Sequence, residues 1–160
     1  MATKMLEKHG RLVGKVHVDE LVRNYKKQRW LFNSQRIGKD DSLSTSFDLG
    51  SLNEFLKQAS QANADSIRVY FGVYPENYDE NPEYSNRQTI VMVATRQIQQ
   101  ENGEIIDKEI LIKKKDRFDI LAFNFGRICP PDCGTGTPPD NDTGSIGITI
   151  FTNESGMRVI

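Results

Sequence analysis

From Val18 the apolar positions Val18, Leu21, Val22, Tyr25 and Phe32 recur at three- to four-residue intervals, the spacing of one helix face. Asp19 and Glu20 stand where the positive end of the helix dipole favours acids. The pattern predicts a helix over residues 18–32, ending near Asn33-Ser34, with a turn at Ile37-Gly38-Lys39-Asp40-Asp41. Ahead of it, Leu12, Val13 and Val16 alternate only weakly, so residues 1–16 are expected to be a flexible N-terminal arm.

Period-two character with β-branched Thr45 predicts a short strand over Ser42–Leu49. Ser51-Leu52-Asn53-Glu54 then fits a capping box, and Leu52, Phe55, Leu56 and Ala59 give the helix it opens one apolar stripe to about Ala62. In Ser66–Tyr74, the clearest strand, Ile67, Val69, Phe71 and Val73 share one face and Arg68 and Tyr70 the other. Residues 75–88, with two prolines and no periodicity, are expected to form an exposed loop. Thr89–Thr95 reads as a buried strand, and Asn102-Gly103 predicts a hairpin joining Arg96–Gln100 to Glu104–Ile112. Asp119–Phe125 fits either a strand or a short helix. Residues 129–145 are dense in Pro, Gly, Asp and Thr; Ile146, Ile148 and Ile150 then alternate like an edge strand, or one offered to a partner.

These elements predict an α+β fold, with an antiparallel or mixed sheet of about four strands packed on two helices. The expected boundaries are an arm at 1–16, one domain at 17–128, and a Cys-Pro-Pro turn with a Pro/Gly-rich tail at 129–160. At 160 residues and 18.2 kDa the chain can bury one real core. Apolar residues are 37% and mean hydropathy is -0.56, polar for a globular chain. No apolar run reaches the ~18–20 residues a bilayer span needs, and residues 1–10 lack the apolar centre of a secretory signal. A cytoplasmic location with no membrane partner is therefore expected, and with it reduced thiols.

Charge divides unevenly. Residues 1–39 carry ten Lys/Arg against three acids, a net +7, and residues 40–160 carry a net -8. The split suits either an anionic partner for the first part or its packing on an acidic body.

Ser46-Phe47-Asp48-Leu49, the strand Ile67–Tyr74 and Cys129-Pro130-Pro131-Asp132-Cys133 together resemble a group of small uncharacterised bacterial proteins. Those share an Ile-Arg-x-Tyr-Phe strand and a terminal Cys-Pro-Pro segment. The resemblance spans roughly residues 18–134 and implies a fold, since its motifs are strand and turn sequences; it brings no activity, cofactor or catalytic residue. Separately, Ser44-Thr45-Ser46 is similar to the Ser-Thr-Ser strand of ADP-ribosyltransferases, with Arg36 before it and Glu101 and Glu104 after it. The Glu-x-Glu spacing of that family is absent.

Three surfaces are candidates for chemistry or recognition. Cys129 and Cys133 are soft ligands that zinc would accept, with His9 and His17 able to complete a Cys₂His₂ set; the same pair suits a reversible disulfide or two reduced thiols in a Pro-braced turn. No nucleophile elbow, phosphate loop or EF-hand spacing accompanies them, and no catalytic set is assigned; Asp140-Asn141-Asp142 reads as a solvated turn. Arg23, Lys26, Lys27 and Trp30 fall at helical spacing and suit a nucleic-acid face, or equally a solvated basic face with Trp30 closing the core. Tyr74, Tyr78 and Tyr84 stand among four carboxylates in the loop 74–87, a pattern suited to protein recognition, with Arg68 expected to pair with one of those carboxylates. The reading that follows is a non-enzymatic interaction protein using that loop and the tail strand, for a protein partner or for self-association. A metal or redox module at Cys129/Cys133 and nucleic-acid binding through the helix are the alternatives.

Overall fold

The computed structural model describes residues 9–133, and the backbone alone of 150–153 and 156–159. The fold is α+β. In chain order it comprises α1 (Lys15–Tyr25), a π-helical turn (Lys26–Trp30), α2 (Leu31–Ile37), β1 (Ser44–Ser46), α3 (Leu49–Gln61) and β2 (Ser66–Val73). A 3₁₀ turn (Pro82–Tyr84) is followed by β3 (Gln88–Gln99), β4 (Ile105–Glu109), β5 (Leu111–Lys114), β6 (Arg117–Ile120), β7 (Ala122–Phe123) and β8 (Arg127–Cys129). The hairpin β9 (Ile150–Asn153) and β10 (Gly156–Val159) comes last. Contacts divide the described residues into two units, one of Thr45–Arg127 and one holding residues 9–44 with residues 128–133. The basic helix and the Cys-Pro-Pro segment fall in one of these units and the sheet in the other.

In the first unit β2, β3 and β4 lie side by side, all antiparallel, and β7 pairs with β3 at Met92↔Phe123 and Val93↔Ala122. The two strands expected over 89–95 and 96–100 are one twelve-residue strand. Helix α3 lies on one sheet face, where Phe55, Ala59, Ala94 and Leu121 form the core, flanked by Leu52, Ile67 and Met92. Phe123 stacks on Phe55 at 5.1 Å and meets Phe47 at the same distance. The cap of α3 is Asp48, whose carboxylate accepts from Ser51 N at 2.8 Å, so the helix begins before the expected Ser51 box. Any short acceptor one residue before the helix can fill that role, and the chain offered two. Asn102-Gly103 does turn a hairpin, with Gly103 alone at positive φ (+82°) and Gly103 N donating to Gln100 O; the turn is longer than the two-residue form. The ambiguous stretch 119–125 is strand, in β6 and β7.

In the second unit the expected helix starts earlier and runs on through the π turn to Gly38, which stops it at φ +71°. Its buried face is not the expected apolar stripe. Leu21 and Phe32 are exposed, while Lys26, Trp30 and Ser34 are buried. Trp30 Nε1 donates to Asp41 O at 2.6 Å, and Ser34 Oγ accepts from Asp41 N at 2.9 Å. The helix therefore closes on its own following turn, and a polar anchor outweighs the apolar spacing. Leu43 N donates to Cys129 O at 2.7 Å in this unit, and Ser46 Oγ donates to Arg127 O at 3.3 Å in the first, as β1 pairs with β8.

Candidate interaction surface

The loop between β2 and β3 is built on Tyr74. Tyr74 N donates to Arg87 O at 3.0 Å and Tyr74 O accepts from Asn86 N at 3.2 Å, which closes the base of residues 75–86. The buried Tyr74 ring carries Tyr78 on it at 4.6 Å and Tyr84 at 5.5 Å. Ring pairs at such separations stabilise beyond their buried area. The Tyr74 hydroxyl donates to Asn124 Oδ1 at 3.1 Å, and Asn124 Nδ2 donates to Ile90 O at 2.6 Å, fixing the tyrosine to the sheet. Around this stack Asn81 Oδ1 accepts from Glu83 N at 3.2 Å, opening the 3₁₀ turn. Ser85 Oγ accepts from Tyr78 N at 3.1 Å, and Arg87 Nε donates to Glu83 O at 2.7 Å.

With backbone groups and rings turned inward, the carboxylates face out. Glu76, Asp79, Glu80 and Glu83 are all exposed, and no Lys or Arg occurs within residues 75–86. Among the described residues none of the four carboxylates forms an ion pair. Glu80 accepts from the Tyr78 hydroxyl at 3.1 Å. Desolvation first, and then Glu80, push the Tyr78 hydroxyl above the usual tyrosine range, so it remains a donor. The result is a hydrogen-bonded knob with a tyrosine floor and, among the described residues, a negative rim without an ion-pair partner.

Arg68 lies elsewhere than expected. It pairs with Asp107 at 3.0 Å and Glu109 at 3.7 Å on β4, not with the loop, and Tyr70 OH donates to Glu109 at 3.3 Å. Register explains it: Arg68 lies opposite Val93, and Glu109 opposite Thr95, so a long side chain crosses β3 on the face away from α3. The Tyr70 hydrogen bond, and then Asp107, push the guanidinium pKa up, so it stays charged.

The basic helix does not assemble the four residues its spacing grouped. Arg23 pairs with Asp19 at 2.8 Å, Lys26 and Trp30 are buried, and only Lys27 is fully exposed. Among the described residues the Lys26 Nζ has no hydrogen-bond partner. Burial first, and then Arg23, push its pKa down, with Asp19 acting the other way.

Cys129 and Cys133 are joined as a disulfide, correcting the expectation of reduced thiols; the prolines fold the segment so that the Cα atoms stand 4.7 Å apart, inside the range a disulfide spans. Both sulfurs are thereby occupied. Among the described residues no three His, Cys, Asp or Glu side chains come together as a metal-holding group, and His9 and His17 are exposed. Of the tail alternation, Ile150 falls in β9; Ile146, Ile148 and Asp140-Asn141-Asp142 lie outside the described residues. Glu101 and Glu104 are exposed at the Asn-Gly turn, Arg36 is exposed on α2, and Ser46 lies in β1.

Sequence reasoning missed a cleft of about 620 Å³ at the start of α3, walled by Phe47, Phe123 and Phe125 with Asp48, Asn124 and Arg127 at its polar side. Phe125 sits at φ +66° within it, and a Cβ on the neighbouring Gly126 would collide with Thr45 and Phe47. No periodicity marks these residues, which converge from separate segments. No protein-family model, curated protein or solved structure matches this chain.

Proposed function

We propose that this protein is a non-enzymatic binding module that receives a basic segment of a protein partner on the Tyr74–Arg87 knob. The observation that carries this reading is the preorganised rim: four exposed carboxylates, none in an ion pair among the described residues, held on a tyrosine stack whose backbone is tied down by its own hydrogen bonds. A loop already ordered in the free protein loses little conformational freedom on binding, so charge complementarity is not spent on folding the site. Cytoplasmic residence belongs to this reading as an expectation; among the described residues no helix is long and apolar enough to cross a membrane.

Selection from a randomised octapeptide display library tests it. Enriched sequences should be rich in Lys and Arg and bind with dissociation constants that rise several-fold between about 50 and 200 mM salt. Binding should fall at least tenfold in the combined Glu76→Gln, Asp79→Asn, Glu80→Gln, Glu83→Gln variant. Enrichment of acidic or purely apolar sequences, or binding indifferent to that variant, overturns the reading.

The disulfide favours one second reading, a redox-responsive segment at Cys129–Cys133. Zinc remains a weaker form of it, requiring the reduced pair and ligands from outside the described residues. Less than a few tenths of an equivalent of zinc in reduced, chelator-free protein rejects that form.

A further inference from the structure

We infer that the outer edge of β2 pairs with the same edge of a second copy of this chain, antiparallel and centred on Phe71. The backbone determines which groups face that edge. Tyr74 N and O both bond toward β3, and alternation then turns the N–H and C=O of Val73, Phe71 and Val69 outward. Among the described residues no strand pairs with them.

The same three residues carry apolar side chains exposed at 47% (Val69), 83% (Phe71) and 60% (Val73). Ile67, on the same strand face, packs on the core, so the helix layer covers the start of β2 and leaves the rest open. Free edges are usually blunted by charge, proline or bulges. Here no charged residue lies between Val69 and Val73, and the first proline is Pro75.

The pattern is its own complement. With Phe71 opposite Phe71, Val69 lies opposite Val73 and Tyr70 opposite Gly72, with a side chain over the residue that has none. At either end of the ladder Arg68 falls opposite Tyr74 of the second copy, while its guanidinium stays on Asp107 and Glu109 across β3, away from the new seam. The two loops stay apart: Glu76 lies five residues beyond the centre, which separates the two copies' Glu76 by about 33 Å, several Debye lengths at physiological salt. Two phenylalanines and four valines bury well under the roughly 1,200 Å² of a stable interface, so the dimer is weak and concentration-dependent. The proposal stands on β2 and is independent of the basic-partner reading of the knob.

Sedimentation velocity from about 5 µM to 1 mM, with amide exchange followed by NMR at both ends of that range, tests it. The expected result is a reversible dimer in the upper range, with the amides of Val69, Phe71 and Val73 gaining protection as it forms. Phe71→Lys and Val73→Lys, both on exposed positions, should each weaken it at least tenfold while circular dichroism is unchanged. A monomer throughout, a dimer in which those amides exchange freely, or a dimer indifferent to both variants overturns the proposal. Protection independent of concentration overturns it as well, since a segment of the same chain then covers the edge.

Discussion

Lys26 is the residue whose environment departs furthest from its chemistry. An ammonium group taken from water and given no acceptor costs stability, and a hydrophobe of similar length avoids that cost. Lys26→Met should raise unfolding free energy near pH 7 by about 1–3 kcal/mol in urea denaturation. Because burial holds its pKa below the ordinary lysine value, the unfolded chain binds that proton more tightly. Wild-type stability should therefore gain from this group as pH rises from the depressed value toward the ordinary one, and the gain should vanish in Lys26→Met. If both proteins share one pH profile, the amine is not desolvated as the structure shows. Composition could not reveal this, because Lys26 belongs to a basic run that reads as solvated. Trp30, buried on the same helical run, reaches Asp41 O, a contact between residues eleven apart that composition does not show either.

At the scale of elements, the entry of α3 shows how local chemistry settles a boundary. Asp48 holds Ser51 N, and that hydrogen bond keeps its carboxyl below the usual aspartate range. A depressed carboxyl pKa adds stability above the ordinary value near about pH 4 and loses it as pH falls through the folded value. Asp48→Asn should keep most of the melting temperature at pH 7, because asparagine also caps, while flattening the acid limb; Asp48→Ala should lower the melting temperature by a few degrees at pH 7. An acid limb unchanged in Asp48→Asn would remove Asp48 from that account. Helix α3 and strand β3 were legible because their spacing agrees with what they bury, whereas β2 was legible as a strand although Val69, Phe71 and Val73 on its apolar face stay exposed. The first helix was legible as a helix but not in its buried face, since Leu21 and Phe32 obey the period and still face water.

For the whole molecule, the disulfide gives a direct check. The native chain should be about 2 Da lighter than the same chain after reduction, with both Cys129 and Cys133 alkylated only in the reduced sample. Alkylation of both in untreated protein would return the segment to two thiols. Element types, the α+β class, the hairpin at Asn102-Gly103 and an acidic loop with three tyrosines follow from spacing and composition, because each depends on neighbours a few residues apart. Other features depend on register and distant contacts: Arg68 reaching Asp107 across β3, Asn124 fastening Tyr74, and Phe71 left beyond the helix layer at an open edge. A pattern of apolar positions shows which face of a strand is apolar, but not how far the covering layer extends. That extent is settled by where α3 begins and ends on the sheet, and there folding separated core from exposed surface.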